Sequence, residues 1–550
     1  MPTGADTVVR FLAEAGIRRL FGLPGEGASL RLLEAARQTG LEFVLAHSGA
    51  AAAIMAATEG ELLERPGVCV TAQGPGVLAA APGVAHAYLD RAPLLLLTDR
   101  SSRLSLRLAA RQSLDQARVL AEMTKGAATL TASRAERVMR WAWDRSVETP
   151  PGPVHLDLPA DEAAKPARWR GLAHRREHRS PPSPHAIRTA ARLLARRGRA
   201  ITIAGLGCRS AAAARALQDL VEHLGTPLFT TQKAKGVVPE DHPLSAGVFV
   251  GGRLEEELLA KAEAVLAVGL DPVELLPRRW RTVAPVVAVA ETPAGPRPYE
   301  PATEVLGHLP SALEALRAES PPGGEWSQAE WAGRGERFKR RARSRLAEAS
   351  QGRGGDGLPP HRIVEIARTI FPRDAIAAVD VGAHAVVVSI FWDSFDRRSF
   401  LCSSGLATLG HALPAAIGAK LAMPERPVVA FTGDAGLLAC LGELATAARL
   451  GLPLTTVVFV DGSLSLTRAL QEQHRYAPIG VSLEASDLPR LAESLGILGT
   501  AVDEEGALAA ALREALDGAR PTLIAARVRG RNYRRLLDIL RGREDPTPDR

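Results

Sequence analysis

Residues Val428–Ser465 read VVAFTGDAGLLACLGELATAARLGLPLTTVVFVDGSLS, and this stretch decides the fold. Two runs rich in β-branched residues, Val428–Thr432 and Leu454–Val460, predict short buried strands. Between them a Gly-rich turn leads into Leu437–Leu450, an apolar run that predicts one helix ended by Gly451. The succession of strand, helix and strand is typical of a parallel sheet covered by helices.

An aspartate follows each of the two predicted strands, Asp434 after the first and Asp461 after the second. Because the carboxyl ends of parallel strands face one crevice, we expect the two carboxylates to lie together. Two oxygen ligands beside a helix N-terminus suit a Mg²⁺ ion that holds a diphosphate, with backbone N–H groups of Ala435 and Gly436 on the phosphate oxygens. These residues alone leave open the alternative that both aspartates are ordinary turn residues.

The wider pattern resembles the signature of thiamine diphosphate-dependent enzymes of the acetolactate synthase type, Gly-Asp-Gly followed at this distance by Asn. The helix residues Glu443 and Thr446 and the segment Gly405–Ala419 match this family as well. Two residues depart from the signature, since Ala435 replaces its second Gly and Asp461 replaces its Asn. The resemblance extends over nearly the whole chain.

The resemblance and the alternation of strand and helix patterns predict an α/β protein with three doubly wound parallel-sheet domains. We expect a pyrimidine-binding domain at residues 1–165, a middle domain at 185–318 and a diphosphate-binding domain at 359–530. Residues 319–358 are interpreted as a linker, and residues 531–550 as a basic tail.

The first and third domains each contain a segment of similar sequence pattern, and we call this similarity the internal echo. Arg65–Ala79 and Arg426–Ala439 both read Arg-Pro, a strand, a threonine, a Gly-rich turn and a small-residue helix. Duplication of one fold explains this similarity, and chance convergence of two strand–helix turns is the alternative.

The resemblance also implies the site residues. Gln112 matches a glutamine that enters the active site, His384 a diphosphate contact, and Leu409 the bulky residue that bends the cofactor. The cofactor-binding set is Pro24, Gly25, Gly49, His384, Ala407, Leu409, Gly433, Asp434, Ala435, Gly436, Asp461 and Ser463. The metal-binding set is Asp434, Asp461 and Ser463.

The glutamate that activates the cofactor in this family has no counterpart here. It bonds to the aminopyrimidine ring, and an ungapped match places Gly49, which offers neither proton nor charge, at its position. His47 lies two residues back, on the same face if this segment is a strand, and Ser48 is adjacent. Either is a candidate substitute acting through water, and a purely structural His47 is the alternative. The catalytic candidates are therefore Gln112, His47 and Gly49.

The composition limits the classes of function. The chain has 550 residues, of which 46% are hydrophobic and 23% charged, as expected for a soluble protein of several domains. Its net charge of +7 comes from scattered arginines, and aromatics are only 4%, so we expect no nucleic-acid binding. The four separated cysteines predict reduced thiols, and we expect a cytoplasmic protein without a signal peptide or membrane span.

The resemblance implies an enzyme that uses thiamine diphosphate and Mg²⁺ to decarboxylate a 2-oxo acid and transfer the resulting acyl carbanion to a second carbonyl. It also implies a homodimer or a dimer of dimers, because the family pairs the pyrimidine and diphosphate domains across subunits. FAD in the middle domain stays undecided, because the turn Gly205–Gly207 is a weak nucleotide signal. The rival hypothesis is a non-catalytic or strongly attenuated homologue that acts as a binding or partner subunit, which Gly49, Ala435 and Asp461 motivate.

Overall fold

The structure is a computed structural model. It describes residues 1–108, 110–171, 180–195, 199–251, 253–280, 282–293, 295–323, 328–350, 357–529 and 533. The predicted basic tail, residues 531–550, lies outside the described residues except for Tyr533.

Three six-stranded parallel sheets with flanking helices make up the described chain, so the predicted α/β fold with three doubly wound domains is confirmed. No helix in the described ranges is long and apolar enough to cross a membrane. The sheets arise from short apolar runs: the central strands of each sheet are largely buried on both faces, whereas four of the six edge strands are partly exposed.

The first sheet has the strand order β2-β1-β3-β4-β6-β5. Its strands are β1 (Arg19–Leu23), β2 (Glu42–Leu45), β3 (Gly67–Thr71), β4 (Leu94–Arg100), β5 (Ala127–Thr129) and β6 (Pro153–Pro159). The helices are α1 (Gly4–Glu14), α2 (Ala28–Thr39), α3 (Gly49–Leu63), α4 (Pro75–Leu89), α5 (Arg103–Leu108), α6 (Gln116–Val119), α7 (Ala135–Val147) and α8 (Ala160–Ala164). Thr3 and Asp6 form a capping box that begins α1.

The middle sheet has the order β12-β11-β10-β7-β8-β9, in which the first strand of the domain lies beside the fourth. Its strands are β7 (Ala200–Ala204), β8 (Leu228–Thr230), β9 (Ser245–Val248), β10 (Ala264–Val268), β11 (Val286–Ala290) and β12 (Pro301–Leu306). The helices are α9 (Pro184–Ala195), α10 (Ala211–Leu224), α11 (Arg253–Leu259) and α12 (Leu309–Glu319). The predicted linker that follows contains α13 (Gln328–Ser350).

The third sheet has the order β14-β13-β15-β16-β18-β17. Its strands are β13 (Ile376–Val379), β14 (Phe400–Cys402), β15 (Val428–Gly433), β16 (Thr455–Val460), β17 (Leu498–Val502) and β18 (Thr522–Arg527). The helices are α14 (Pro360–Ile370), α15 (Ala383–Phe391), α16 (Ala412–Ala422), α17 (Asp434–Ala439), α18 (Glu443–Arg449), α19 (Ser465–Gln473), α20 (Leu488–Ser494) and α21 (Glu505–Asp517).

The single helix predicted over Leu437–Leu450 is wrong, because the structure divides this segment into α17 and α18. At the break, Gly442 packs against the side chain of His47, and a Cβ on this glycine would lie 3.0 Å from the His47 Cβ. The helix is therefore interrupted where it contacts the first domain. The predicted end is confirmed, since Gly451 has φ +58° and follows the last turn of α18.

The first and third domains share one hydrophobic core across α3 and α16. Helix α3 is buried at 13 of its 15 positions, because small alanines let both α4 and α16 approach it closely. At Gly418 of α16 a Cβ would lie 2.6 Å from the carbonyl oxygen of Met55 in α3. This contact fixes the two domains against each other.

Candidate functional site

The ends of β15 and β16 meet at one edge of the third sheet, and the structure brings Asp434 and Asp461 together there. Asp434 Oδ2 accepts the N–H of Gly462 at 2.8 Å and that of Asp461 at 3.3 Å. The other oxygen, Oδ1, accepts the N–H of Ala435 at 2.9 Å, so this expected phosphate donor is already paired. One carboxylate therefore holds the two turns in register.

The two aspartates carry like charges at close range. Burial and the Asp434 charge raise the pKa of the Asp461 carboxyl to about 6, although Ser465 donates a hydrogen bond to it. A bound cation would relieve this repulsion. Within the described ranges, no group of three or more His, Cys, Asp or Glu side chains forms a metal site, so backbone or ligand oxygens would complete the coordination. The Ser463 hydroxyl instead donates to the Val481 carbonyl at 3.0 Å.

His384 lies beside this acidic pair with an unused polar atom. Its ring stacks on Phe459 with centroids 5.3 Å apart, and within the described ranges its buried Nε2 has no hydrogen-bond partner. Burial lowers the pKa of His384 to about 4, so the ring is neutral at pH 7 and can donate one hydrogen bond. A Cβ at Gly433 would lie 3.5 Å from this ring, so the glycine keeps the space next to it open. The arrangement fits a phosphate oxygen.

Asp380, at the end of β13, ties two predicted site segments together. Its carboxylate accepts the N–H of Gly410 at 3.0 Å and the hydroxyl of Thr432 at 2.9 Å. A Cβ at Gly436 would lie only 2.4 Å from Asp380 Oδ2, so the turn needs glycine at this position. Burial raises the pKa of the Asp380 carboxyl to about 6. This residue therefore fixes the Leu409–Gly410 segment against the Asp434 turn.

Tyr533 is a site residue that the sequence did not reveal. It is buried, 3% exposed, and its hydroxyl has no hydrogen-bond partner among the residues that the structure describes. Burial and the charges of Asp461 and Asp434 raise the pKa of its phenol well above the usual value. A lone tyrosine among arginines in an apparent tail was the available signal. Two unpartnered buried groups, His384 Nε2 and the Tyr533 hydroxyl, therefore adjoin the acidic pair.

Leu409 is the residue predicted to bend the cofactor, and it is 47% exposed. It lies in a loop that also contains Ala407, whose φ is +56°. The Ser403 Oγ accepts the N–H of Thr408 at 3.0 Å. Asp90, at the end of α4 in the first domain, accepts the N–H of Ser404 at 2.8 Å. The first domain thus sets the conformation of the loop that presents Leu409.

Buried charges extend from this loop into the middle domain. The Lys233 ammonium lies 3.5 Å from Asp90 and 3.1 Å from Glu61, and Glu61 also pairs with Arg209. Burial alone would raise the pKa of Glu61, but Arg209 and Lys233 outweigh it and lower the value to about 2. At Asp90, too, the effect of burial is outweighed. Lys233 and His86 hold the pKa of its carboxyl below its usual range. We call Glu61, Asp90, Arg209 and Lys233 the junction network.

The predicted first-domain residues lie apart from the acidic pair. Gly25 packs against Asp99 and Ala72, Pro24 is exposed, and Gln112 is exposed with φ +56°. In the described part of the chain, no hydrogen bond or ion pair joins these three residues to the third domain. One chain alone does not bring the two sets of residues together.

The expected strand placement of His47 and Gly49 is wrong, because β2 ends at Leu45 and Gly49 is the first residue of α3. The Glu443 Oε1 accepts the N–H groups of His47 and Ser48, both at 3.0 Å, and this pulls the chain out of the strand. Both side chains are exposed, and His47 Nδ1 lies 2.9 Å from the Thr446 hydroxyl.

Gly49 faces α4 and not open space. A Cβ at this position would lie 3.0 Å from the backbone of Ala79 and Ala80. A glutamate at position 49 would therefore displace α4, whereas the neighbouring Ser48 is exposed. On this side of α3, Ser48 is the position that has room for a carboxylate.

Sheets with this strand order bind nucleotides in the crevice where the order reverses. In the middle domain this crevice lies between β7 and β10. Here Glu274 reaches into it, and its carboxylate accepts the Leu206 N–H at 2.8 Å and the Thr231 hydroxyl. The turn at Gly207 packs directly on Gly269, with an N–H···O bond of 2.9 Å. These residues do not fit a bound nucleotide phosphate, because a carboxylate of the chain already takes the donors.

Glu274 is expected to make stability depend on pH. Burial raises the pKa of its carboxyl from 4.5 to about 7, so the folded chain holds this proton more tightly than the unfolded chain. Stability is therefore lost as pH rises from 4.5 to 7. Glu274→Gln should remove this loss, so the variant gains about 1–3 kcal/mol relative to wild type across that window. Urea unfolding at several pH values measures the difference, and exposed Glu300→Gln should show no such trend.

Comparison with known proteins agrees with this architecture. Sequence models of thiamine pyrophosphate enzymes match residues 2–119 (N-terminal TPP binding domain), 187–316 (central domain) and 380–526 (C-terminal TPP binding domain). A probable 2-ketoarginine decarboxylase from Pseudomonas aeruginosa is 32% identical, covering 90% of this chain and 88% of the relative. A catabolic acetolactate synthase from Raoultella terrigena is 30% identical, with 95% and 94% covered. The acetolactate synthase of Bacillus subtilis is 26% identical, with 95% and 92% covered.

All three domain models match in the order of the three sheets, and the matched residues include the Asp434 and Asp461 turns and His384. The chain therefore belongs to the thiamine pyrophosphate enzyme family.

Proposed function

We propose that this chain uses thiamine diphosphate and Mg²⁺ to decarboxylate a 2-oxo acid and to join the remaining acyl unit to a second carbonyl compound. The observation that carries the proposal is the acidic pair Asp434 and Asp461 beside the unpartnered His384 Nε2, in a domain of this family. Repelling carboxylates together with an unused buried donor suit a cation and a phosphate bound side by side.

Different residues of this chain bind different parts of the cofactor. Asp434 and Asp461 bind the Mg²⁺, while the Gly436 N–H and His384 bind the diphosphate. Leu409 supports the rings from the loop that Asp90 and Ser403 shape. The bound cofactor supplies the electron sink for decarboxylation. The protein supplies orientation and, at Asp434 and His384, buried side chains.

Proton handling at the pyrimidine ring is the step in which this chain departs most from its family. Gly49 has no group to transfer a proton, and α4 closes its side-chain space. We propose that cofactor activation is attenuated and depends on His47 or Ser48 acting through water. A missing general acid–base residue typically costs about 10²–10⁴ in rate.

A carboxylate at the exposed position is therefore expected to restore activation. Ser48→Glu should speed exchange of the thiazolium C2 proton by about tenfold or more, because a glutamate there has room to reach the ring. Gly49→Glu should instead lower the melting temperature, since it displaces α4. Quenched-flow NMR measures the exchange, and calorimetry the stability. Equal exchange in wild type and Ser48→Glu would contradict this placement.

A second copy of the chain is proposed to complete the site, because in the described ranges Pro24, Gly25 and Gln112 have no hydrogen bond or ion pair with the third domain of their own chain. Exposed apolar residues support a symmetric pair. Leu78 on α4 and Leu438 on α17 occupy matching positions of the internal echo and are 51% and 38% exposed. Light scattering should give a dimer or a dimer of dimers, and a monomer that turns over substrate would contradict the proposal.

The reaction is tested by incubating the purified chain with thiamine diphosphate, Mg²⁺ and a panel of 2-oxo acids while released CO₂ is measured. The panel includes pyruvate and 2-ketoarginine, since the relatives are named for acetolactate synthesis and for 2-ketoarginine decarboxylation. Those enzyme names give no support to the rival partner-subunit hypothesis. Cofactor binding without CO₂ release from any acid would overturn the proposed activity. Because Glu274 fills the middle crevice, we propose that turnover needs no added FAD.

A further inference from the structure

A cavity of about 510 Å³ lies between the first and third domains, away from the acidic pair. Arg19 opens β1, Arg65 precedes β3, and Pro424 precedes β15, so the cavity lies at the amino ends of both sheets. The acidic pair lies at the carboxyl ends of the third sheet. We call the cavity, with Arg18, Arg19 and Arg65 in its lining, the arginine cleft.

The positive charge in the arginine cleft is only partly compensated. Arg19 is fully engaged, because it pairs with Glu42 at 2.8 Å and Glu59 at 3.2 Å. Arg65 donates one hydrogen bond to the Gly16 carbonyl, and its Nε, which is closed off from solvent, has no partner in the described part of the chain. Arg18 is exposed. Among the described residues neither Arg65 nor Arg18 forms an ion pair, so two guanidinium charges are available to attract an anion.

The surrounding acids compensate Arg65 only in part. Glu59 is buried and directed to Arg19, and burial raises the pKa of its carboxyl. Burial, together with the nearby charges of Arg18 and Arg19, lowers the pKa of Arg65 despite the charge of Glu59. An anion placed between Arg18 and Arg65 would supply the missing charge.

The remaining walls restrict the kind of anion. Aliphatic side chains line the cleft, from Ile17 and Leu63 in the first domain and Leu421 and Pro424 in the third. The lining contains no aromatic ring on which a base could stack, which disfavours a nucleotide. The ligand that fits is therefore an amphipathic acid. Its charged end contacts two guanidinium groups, and its body contacts the aliphatic walls.

We propose that the arginine cleft is a binding site for a small carboxylate with an aliphatic body, separate from the cofactor site. The charged guanidinium groups of Arg65 and Arg18 bind the carboxylate, and Leu63 and Leu421 cover the aliphatic part. Arg19 already crosses this boundary, because it donates to the Leu421 carbonyl at 2.8 Å. The ligand therefore bridges the two domains and stabilises their contact.

Calorimetric titration of the full chain with 4-methylpentanoate tests the site. Wild type should bind it, and Arg65→Met should bind about tenfold more weakly, because the aliphatic stem is kept and the charged donor is lost. Arg18→Met, at an exposed position, should weaken binding severalfold without disturbing the fold. Arg513→Met, exposed on α21, is the matched control and should bind as wild type does.

Two further probes identify the ligand chemistry. The neutral 4-methylpentanamide should not bind, because it lacks the charge, and inorganic phosphate should bind more weakly than the carboxylate, because it makes no contact with the aliphatic walls. Equal carboxylate binding in wild type, Arg65→Met and Arg18→Met would overturn the site. Stronger binding of phosphate, or no binding of the carboxylate at all, would overturn the proposed ligand.

Discussion

Asp434→Ala is expected to weaken binding of Mg²⁺–thiamine diphosphate on the order of 10–100-fold. The substitution removes one of two carboxylates at the proposed cation site, and a hydrogen bond to a charged group contributes about 1.5–3 kcal/mol. It also frees the Gly462 N–H, which Asp434 accepts at 2.8 Å. Calorimetric titration with the cofactor at fixed Mg²⁺ measures the loss without requiring turnover.

Three controls separate charge from structure in this experiment. Asp434→Asn keeps an oxygen acceptor for the Gly462 N–H but removes the charge, so its affinity should lie between those of wild type and Asp434→Ala. Asp461→Asn restores the family residue and removes a repelling charge, so its affinity should equal or exceed wild type. Asp503→Ala, exposed in the same domain, should change nothing. Undiminished affinity in Asp434→Ala would remove this aspartate from the cofactor site.

Lys233→Met is expected to destabilise the protein by about 3–5 kcal/mol, because breaking a buried ion pair leaves its partner charge uncompensated. Lys233 is 3% exposed and is the cation of the junction network nearest to Asp90. Its loss should also loosen the loop that Asp90 holds, so amide hydrogens of Ser404 and Gly405 should exchange faster. Urea unfolding and hydrogen exchange measure the two effects.

A double variant tests whether charge balance causes this loss. Asp90→Asn together with Lys233→Met removes one negative and one positive charge, and the amide oxygen still accepts the Ser404 N–H. The double variant should therefore lose less stability than the sum of the two single variants. Additive losses would show that the two residues act independently, against the junction network. Lys261→Met, exposed on the surface of the middle domain, should stay within about 0.5 kcal/mol of wild type.

The parts of the fold that depend on local chemistry could be predicted from the sequence. The β-branched runs at Val428–Thr432 and Leu454–Val460 form strands within one residue of their expected bounds, because they are buried on both faces. Gly451 ends α18 for the reason expected, its left-handed conformation. The nearness of Asp434 and Asp461 likewise follows from two parallel strands that end side by side.

The parts that failed depend on contacts between residues far apart in the chain. The helix break before Glu443 arises where His47 packs on Gly442, and the blocked space at Gly49 arises from Ala79 on another helix. Neither contact leaves a periodic pattern in the sequence. Lys233 and Tyr533 could not be predicted for the same reason. Only the folded domains show that Lys233 neutralises Asp90 and that Tyr533 lies beside the acidic pair.

The burial of α3 has a consequence for synthesis on the ribosome. One side of this alanine-rich helix packs on α4 of its own domain, but the other needs α16. Roughly 350 residues separate Leu63 from Ala412, and at about 5–20 residues per second their translation takes roughly 20–70 s. During that interval the newly made first domain presents a smooth apolar helix face with no partner from its own chain. Aggregation of nascent chains is therefore most strongly favoured after the first domain emerges and before the third is complete.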